Sequence, residues 1–171
     1  MTDLHEISPE VIIHRLSVNP DIKPMKQKKM MFRLERSQAT KEEVDKLLKA
    51  KYICPVQYLE WLANVVLVLK SNEKWRICID FTDLNKAYPK DPFPLPQIVI
   101  FIDSTSGCEI LSFLDAYQSY NQIPLAPKDQ ENVSFVTDQI VFCYNVASFS
   151  LKNIGATYQQ LVNHMFQNQI G

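Results

Sequence analysis

Four prolines lie close together near the middle of this chain: Pro89, Pro92, Pro94 and Pro96. Proline fixes its own φ and has no N–H group to donate, so this segment can be neither a helix nor an inner strand of a sheet. It predicts a stiff, extended connector. The chain has 171 residues, of which 46% are hydrophobic. This is enough for the core of one domain, or of a piece of a larger one, and argues against a wholly disordered chain.

Several classes of protein are excluded by simple patterns. The first ten residues are polar and acidic and lack the apolar stretch of a secretory signal, and the purest apolar run, Val65–Leu69, is far too short to span a membrane. The cysteines, Cys54, Cys78, Cys108 and Cys143, have no paired spacing and no neighbouring histidine. We therefore expect no zinc site, no disulfide framework and no membrane partner, but buried, reduced thiols in a cytoplasmic or nuclear protein.

Residues 1–36 are predicted to form an extended basic N-terminal arm, because prolines interrupt them and their hydrophobic periodicity is weak. A cluster of cations in this arm is opposed only by Glu35; it consists of Lys23, Lys26, Lys28, Lys29, Arg33 and Arg36. Such a cluster can bind nucleic-acid phosphates. A solvated arm with no partner is the alternative.

Local patterns predict helices and hairpins along the rest of the chain. Thr40 and Glu43 form a capping-box pattern, which predicts a helix over 40–51 with Thr40 as its N-cap. Two β-rich runs, 62–70 and 75–81, flank a polar turn and predict a hairpin. A short helix over 97–105 is expected to end at Gly107.

The C-terminal part of the chain predicts a strand, a second hairpin and a helix. The apolar run 109–116 is most simply a buried strand that carries Asp115 at its C-terminal end, and 132–137 and 141–147 are predicted to pair. A helix over 154–167 would place Tyr158, Leu161, Val162, Met165 and Phe166 on one apolar face. The order of elements indicates an α+β fold without βαβ regularity.

Few residues stand out as chemically active on their own pattern. A carboxylate at a strand end, such as Asp115, can hold Mg²⁺, and a solvated or salt-bridged aspartate is the alternative. Arg76 and Asp80 share one strand face and form either a surface pair or a clamp for a triphosphate. Tyr120 is either a packed aromatic residue or a gate for substrate.

Four ordered blocks of the sequence resemble reverse transcriptases of gypsy-type long-terminal-repeat retrotransposons, particularly the Pol polyproteins of plants. The blocks are WRICIDFTDLNK (75–86), PFPLPQI (92–98), LSFLDAYQSYNQI (111–123) and SFVTDQIVFCYNVASFSLKNIGATYQQLVNHMF (134–166). The resemblance runs essentially from Ile7 to Gly171. It implies the fingers and the N-terminal part of the palm of a right-hand polymerase, with an antiparallel sheet and flanking helices. Residues 37–107 would be a fingers-like helix, hairpin and connector, and 108–171 partial palm and fingers.

The resemblance also implies a chemistry, the Mg-dependent addition of deoxynucleotides to a primer 3′-OH opposite an RNA or DNA template. Two Mg²⁺ ions are expected in the complete family site. Asp115 matches the first metal-binding aspartate, and Ala116 follows it where a backbone carbonyl can be a ligand. Tyr120 matches the bulky residue that excludes a ribose 2′-OH.

Further residues match the family's binding site for the incoming nucleotide. Arg76 matches the fingers arginine that binds the triphosphate, with Lys74 or Lys70 as its lysine partner. Phe149 and Ser150 lie where the family has a motif beside the nascent base pair. Template and primer would lie against the cations of the N-terminal arm.

The chain departs from the family pattern in its acidic residues. The second carboxylate motif, Tyr-x-Asp-Asp, does not occur, and no acidic residue follows Asp138. Since one aspartate cannot hold two cations, we expect a chain truncated before that hairpin to be inactive. A non-catalytic nucleic-acid-binding module and a functionless translated relic are the alternatives.

Glycine is also scarce, with three residues in the chain. Positions where the family has glycine hold Glu73, Ser119, Ile140 and Ser150, and glycine at such positions often provides a positive φ. We interpret these replacements as the marks of a decayed genomic copy. An uncovered apolar edge around Leu111 and Phe113 further predicts weak solubility.

Overall fold

The computed structural model describes residues 7–57, 59–71, 73–113, 119–138 and 140–169, except for the side chain of Phe101. Its helices are α1 (Leu34–Lys49), α2 (Thr82–Lys86), α3 (Ile98–Thr105), α4 (Pro127–Gln130) and α5 (Ile154–Met165). Its strands are β1 (Ile53–Pro55), β2 (Ala63–Leu69), β3 (Trp75–Ile79), β4 (Ser134–Val136) and β5 (Val141–Tyr144). Two short 3₁₀ turns, Ser119–Gln122 and Glu131–Val133, complete the described elements.

The five strands form one sheet in the order β1-β5-β4-β2-β3. The two predicted hairpins are confirmed: β2 pairs antiparallel with β3, and β4 pairs antiparallel with β5. Two further pairings were not predicted. The short strand β1 pairs antiparallel with β5, and β2 runs parallel to β4, which joins the two hairpins into one sheet. The fold is α+β, as predicted.

The hydrophobic core lies between the β4–β5 hairpin and the residues that come just before β4. Phe135 is fully buried, and its ring lies 5.9 Å from that of Phe142 and 5.5 Å from that of Tyr144. Ile123 and Val133 are also completely buried. Full burial of an aliphatic or aromatic side chain stabilises a fold by about 1.5–3 kcal/mol, so this cluster anchors the sheet.

The N-terminal arm packs against this core. Leu16 and His14 are each only 1% exposed, and the Leu16 N–H donates to Asp129 Oδ2 at 3.1 Å. His14 forms a parallel bridge with Leu125. The extended character of the arm stays a prediction, and its last residues, 34–36, belong to α1. Of residues 7–18, only His14 and Leu16 are buried.

Helix α1 begins six residues earlier than predicted, and Thr40 is not its N-cap. The Thr40 hydroxyl donates to the Arg36 carbonyl at 2.8 Å, the i−4 bond of a threonine inside a helix. At its end, Lys51 adopts a φ of 59°, and the Tyr52 N–H donates to the Leu47 carbonyl at 3.0 Å. This is a Schellman ending with lysine in the left-handed position that glycine usually occupies.

Helix α3 is confirmed, and Gly107 follows it with a φ of 87°. The predicted strand over 109–116 is wrong for its described part: residues 109–113 form no strand, and Ile110 and Phe113 are 84% and 89% exposed. An apolar run alone does not make a strand when no neighbouring strand is present to receive its hydrogen bonds. The rest of that run, with Asp115, lies outside the described residues.

Helix α5 is confirmed, and of the five residues of its predicted apolar face only Met165 is exposed. Leu161 is buried and Tyr158 is half-buried, whereas Met165 is 62% exposed. The first two turns of the helix contact the core through Ile154 and Thr157, and the last turn extends past it. Within the described ranges, no helix has both the length and the apolar character needed to cross a membrane.

The prediction of buried thiols holds for only one cysteine. Cys143 is buried, Cys54 and Cys78 are half-buried, and Cys108 is exposed. Cys108 follows α3 in the segment that the core does not cover, which explains its exposure.

Candidate nucleotide site

Arg76 and Phe149, which are 73 positions apart in the sequence, lie in contact. The guanidinium carbon of Arg76 lies 5.2 Å from the centroid of the Phe149 ring, within the range of a cation–π interaction. Arg76 projects from the exposed face of β3, and Phe149 follows β5 in the loop before α5. Phe149 is 60% exposed, so the pair forms an accessible surface.

Tyr120 extends this surface into a small aromatic cluster with Phe149 and Tyr158. The Tyr120 ring centroid lies 5.7 Å from that of Phe149 and 5.4 Å from that of Tyr158, which it meets edge to face at 77°. Tilted and edge-to-face arrangements are the favoured geometries of aromatic pairs. Tyr158 was predicted only as part of a helix face, because no local pattern shows that α5 brings it to Tyr120.

Backbone hydrogen bonds hold the Tyr120 turn beside the chain that carries Phe149. The Ile123 N–H donates to the Tyr120 carbonyl at 3.1 Å, and the Ala147 N–H donates to the Ile123 carbonyl at 2.8 Å. Pro124 and Val146 form an antiparallel bridge next to these bonds. The segment after the Tyr120 turn and the segment before Phe149 are therefore hydrogen-bonded neighbours.

Asn85 in α2 braces the loop that contains Phe149 and Ser150. Its Nδ2 donates to the Ser150 carbonyl at 2.9 Å, and its Oδ1 accepts from the Tyr88 hydroxyl at 2.6 Å and from the Lys152 N–H at 2.9 Å. Burial raises the pKa of Tyr88 to about 12, so its hydroxyl stays protonated and keeps this role. Asn85 thus fixes the backbone at the expected site.

Lys152 is a residue that the sequence interpretation missed. Its ammonium group lies 4.8 Å from the Tyr88 ring centroid and donates to the carbonyls of Asn85 and Tyr88. These contacts lock the loop 148–153 onto α2. A lysine in a polar loop gives no sequence pattern that would distinguish it from a solvated one.

Asp80 does not form the surface pair with Arg76 that was one of its two interpretations. In the described part of the chain, the ion pairs are Lys46 with Glu43 and Lys86 with Asp83. The Asp80 carboxylate accepts instead from the Thr82 N–H at 3.1 Å and from the Thr82 hydroxyl at 2.5 Å. Arg76 is therefore free of that carboxylate, and its guanidinium faces Phe149.

Gln27 joins the N-terminal arm to the base of the β2–β3 hairpin. Its Oε1 accepts from the Asn64 N–H at 2.8 Å, and its Nε2 donates to the Asp80 carbonyl at 3.1 Å and to Asp83 Oδ2 at 3.2 Å. Asn64 in turn binds the arm just after Gln27: its Nδ2 donates to the Lys28 carbonyl at 2.9 Å, and its Oδ1 accepts from the Met30 N–H at 3.1 Å.

The cations of the arm lie on the protein surface. The five predicted phosphate contacts are all exposed: Lys23, Lys26, Lys28, Lys29 and Arg33. Lys29 donates to the Asp138 carbonyl at 2.6 Å, whereas none of the five belongs to either of the ion pairs among the described residues. The Arg36 guanidinium lies 5.8 Å from the Trp75 ring centroid.

Three of the predicted site residues are not brought into this cluster by any observed contact. Asp115 and Ala116 lie outside the described residues. Lys74 is exposed in the β2–β3 turn, where its carbonyl accepts from the Lys70 N–H at 2.9 Å. Across the described ranges, no group of three or more His, Cys, Asp or Glu side chains could hold a metal ion.

The fold of this chain is similar to part of the fold of solved reverse transcriptases. The structure of the foamy viral protease–reverse transcriptase in complex with double-stranded DNA is similar, with a TM-score of 0.75 and 17% identity over 98% of this chain and 28% of that chain. The native prototype foamy virus protease–reverse transcriptase gives a TM-score of 0.75 and 20% identity over 92% of this chain and 21% of that chain.

The sequence comparisons identify the family. The profile of the reverse transcriptase (RNA-dependent DNA polymerase) family matches residues 68–171, and this chain belongs to that family. It is 28% identical over 130 residues to the Retrovirus-related Pol polyprotein from transposon 412 of Drosophila melanogaster, a match that covers 72% of this chain and 10% of that protein.

Two further relatives support this assignment. The Pol polyprotein from transposon gypsy of Drosophila melanogaster is 29% identical over 100 residues, 58% of this chain and 10% of that protein. The RNA-directed DNA polymerase homolog of Oenothera berteroana is 30% identical over 90 residues, 53% of this chain and 63% of that protein. The chain thus spans less than two thirds of each relative. The predicted relationship to gypsy-type Pol polyproteins is confirmed.

Proposed function

We propose that this chain is the nucleotide- and template-binding part of a retrotransposon reverse transcriptase, whose parent activity is the Mg-dependent addition of deoxynucleotides to a primer 3′-OH. The observation that carries the proposal is the contact between Arg76 and the aromatic cluster of Tyr120, Phe149 and Tyr158. It puts a cation and a rigid aromatic ring, both named by the family resemblance, on one exposed surface.

Arg76 has the properties that triphosphate binding requires. Its guanidinium is exposed and does not pair with Asp80, and its planar fork of donors matches phosphate oxygens better than a point charge does. The contact with Phe149 holds the guanidinium near the surface where Ser150 lies. Lys74, at the adjacent hairpin turn, is proposed as the second cation.

Tyr120 is proposed to select deoxyribose by excluding a 2′-OH. Its ring is packed on two sides, against Phe149 and against Tyr158, and so it cannot rotate away from a substrate without breaking both contacts. A rigid wall is what steric exclusion needs, because a mobile side chain would yield to an added hydroxyl group.

The surface of the N-terminal arm supports a proposal for template–primer binding. Lys23, Lys26, Lys28 and Arg33 are exposed and can each neutralise a phosphate, and Lys29 continues the row. The foamy viral relative in complex with double-stranded DNA is consistent with a nucleic-acid partner for this fold.

The metal site is proposed from the sequence. We assign Asp115 as a Mg²⁺ ligand and Ala116 as the adjoining backbone ligand. The 171 residues contain no Tyr-x-Asp-Asp run. We therefore propose that this polypeptide by itself binds primer–template and nucleotide but does not add the nucleotide to the primer. A non-catalytic binding module is the second candidate function, and the exposed cations of the arm favour it.

One measurement separates these candidates. Fluorescence anisotropy of a labelled primer–template is recorded with the full chain, with and without a complementary dNTP and Mg²⁺. For a nucleotide site, the complementary dNTP tightens binding more than a mismatched dNTP does, and Arg76→Ala removes the difference while the exposed control Arg15→Ala keeps it. If the chain binds primer–template equally well with every nucleotide, the non-catalytic binding module is the candidate that remains. If the primer is extended, the proposed lack of incorporation is refuted.

A functionless relic is the third candidate, and one observation bears on it. Glu73 has a φ of 58°, the left-handed conformation that glycine adopts most easily. Among the described residues, Ser119, Ile140 and Ser150 are not in that conformation. The replacement of glycine therefore strains the backbone at Glu73 only, and the other three positions lend this candidate no support.

A further inference from the structure

Cys54 in β1 and Cys143 in β5 face each other across the edge of the sheet. They are direct partners in the antiparallel register, and their sulfur atoms lie 3.4 Å apart. Both are free thiols. The two residues are 89 positions apart, which is why the cysteine spacing gave no indication of this pair.

The Cα separation at this pair falls within the range that a disulfide spans. The Asn145 N–H donates to the Tyr52 carbonyl at 2.9 Å and the Val56 N–H to the Val141 carbonyl at 3.0 Å, two positions to either side of Cys54. The alternation of an antiparallel ladder therefore makes Cys54–Cys143 a hydrogen-bonded pair, with Cα atoms about 5.5 Å apart. Disulfides commonly span Cα separations of about 4.4–6.8 Å.

The two thiols are not equivalent. Cys54 is half-buried on the edge strand β1, and its Sγ lies 3.2 Å from Asn145 Oδ1 as a hydrogen-bond donor. Cys143 is buried, and this burial, followed by the contact with Cys54, raises the pKa of its thiol to about 12. Cys54 is therefore the sulfur that a reagent from solvent reaches, and Cys143 is the sulfur behind it.

We propose that Cys54 and Cys143 form an oxidation site, at which a hydroperoxide converts the two thiols into a reversible cross-strand disulfide. The Cys54 thiolate attacks one peroxide oxygen; an S–O bond forms, the O–O bond breaks, and with hydrogen peroxide the leaving hydroxide takes up a proton to become water. The Cys143 sulfur then attacks the Cys54 sulfur; the S–S bond forms, the S–O bond breaks, and the second water leaves with the Cys143 proton. Two thiols are oxidised by two electrons, and one peroxide is reduced to two waters.

The other two cysteines lie away from this pair, which makes the 54–143 pairing specific. Cys78 lies on β3, at the opposite end of the sheet from β1, and Cys108 lies in the exposed segment after α3. The sulfur–sulfur contact that the described residues show is that of Cys54 with Cys143. A folded chain should therefore form the 54–143 link in preference to any of the other pairings.

The disulfide would tie the edge strand to the strand that leads into the candidate nucleotide site. β1 has only three residues, and Cys54 is the central one, so a bond there fixes the whole strand. Beyond β5, the chain continues to Phe149 within six residues of Cys143. Oxidation would thus restrain the base of the loop that carries the Arg76 contact.

Peptide mapping tests the proposal directly, because trypsin places each cysteine in a separate peptide: 52–70, 77–86, 91–128 and 129–152. The folded full chain is treated with hydrogen peroxide, free thiols are blocked with N-ethylmaleimide, and the non-reduced digest is analysed by mass spectrometry. We expect peptides 52–70 and 129–152 to be linked, in large excess over every other pairing, and to be released by dithiothreitol.

Matched serine variants complete the test. Cys54→Ser abolishes the link, and Cys78→Ser and Cys108→Ser preserve it. We expect the same treatment in urea to distribute links among all pairings, which would show that the preference depends on the fold. This comparison uses the parent chain, so it needs no folded Cys143 variant. The proposal is overturned if the native chain accumulates sulfinic acid on Cys54 with no link, or if the preference is the same in urea.

Discussion

The Arg76 guanidinium rests on the face of Phe149, at 5.2 Å from the ring centroid. The contact joins the β2–β3 hairpin to the loop after β5, two parts of the chain that belong to different predicted segments. A cation held on a ring face loses less freedom when it binds a phosphate than a cation extended into water. Phe149 is therefore expected to affect nucleotide binding by positioning the Arg76 guanidinium.

This contact predicts a measurable effect of Phe149→Ala on nucleotide binding. Loss of an exposed cation–π contact costs about 0.5–1 kcal/mol, which is about two- to fivefold in affinity for the complementary dNTP. Phe149→Tyr keeps the ring face and should bind as the parent chain does. Titration calorimetry of the primer–template complex with dNTP measures both variants, and an equal loss in the two would show that the ring face is not responsible.

Glu73→Gly is expected to stabilise the chain. Glu73 has a φ of 58°, where a side chain costs about 1–2 kcal/mol that glycine does not incur. Part of this gain is offset by the greater freedom of glycine in the unfolded state, so we expect a net gain of about 1 kcal/mol. Urea denaturation measures the free energy of unfolding.

Ile140→Gly is the matched control for that change, because the family pattern has glycine at both positions. Ile140 is not among the described residues with positive φ, so the substitution relieves no strain. It should destabilise the chain by at least about 0.5–1 kcal/mol, through backbone entropy and through the loss of the Ile140 side chain, which is 48% exposed. Stabilisation by both substitutions would contradict the conformational explanation.

His14 predicts a loss of stability in mild acid. It is buried, its Nδ1 lies 2.7 Å from Thr157 Oγ1, and its Nε2 has no hydrogen-bond partner among the described residues. Burial lowers the pKa of His14 from 6.5 to about 4, although Asp129 and Asp91 act in the opposite direction. The unfolded chain therefore binds a proton between these pH values that the folded chain does not.

The sign of the effect follows from that difference in proton binding. The contribution of His14 is fully present above pH 6.5 and is lost as the pH falls toward 4, by about 3 kcal/mol in total. His14→Gln should flatten this part of the profile of unfolding free energy against pH. The exposed His164→Gln should leave the profile unchanged, and an identical profile for His14→Gln would refute the assignment.

The arm predicts a salt-dependent affinity for nucleic acid. Each exposed lysine that contacts a phosphate contributes about 0.9 to the slope of log affinity against log salt, so Lys26→Ala with Lys28→Ala should lower the slope by about 2. Lys128→Ala, an exposed lysine on α4, serves as the control. An unchanged slope in the double variant would place the nucleic acid on another surface.

The exposed apolar side chains of helix α3 predict a surface that promotes aggregation. Val99 and Ile102 are 65% and 63% exposed, and Ile110 and Phe113 continue the apolar surface beyond the helix. Val99→Glu with Ile102→Lys should reduce aggregation and the fluorescence of a bound hydrophobic dye without lowering Tm, because neither side chain is buried. Val65→Glu, at a position only 1% exposed, should unfold the chain. A fall in Tm for the double variant would mean that α3 is packed in solution.

Local signals account for the elements that were predicted correctly. The β2–β3 hairpin follows from two β-rich runs around a polar turn, α5 from its helical periodicity, and the end of α3 from Gly107. By contrast, the pairing of β2 with β4 joins residues 72 positions apart, and β1 has only three residues, so neither leaves a local pattern. Thr40 misled because a hydroxyl that bonds back to the i−4 carbonyl has the same sequence appearance as a cap.

The same difference between local signals and long-range packing applies to the candidate site. Arg76, Tyr120 and Phe149 could each be named from a motif, because the motif fixes the residue type. The packing of Tyr120 against Tyr158 and the bracing by Lys152 could not, since both depend on how α5 and α2 lie against the sheet.

The bonds of Gln27 have a mechanical consequence. One amide group ties the arm to Asn64 and to the backbone of Asp80, at the two roots of the β2–β3 hairpin. The lysines beside Gln27 are therefore anchored to the same hairpin that carries Arg76. The two proposed binding surfaces, at Arg76 and along the arm, are mechanically connected through a single side chain.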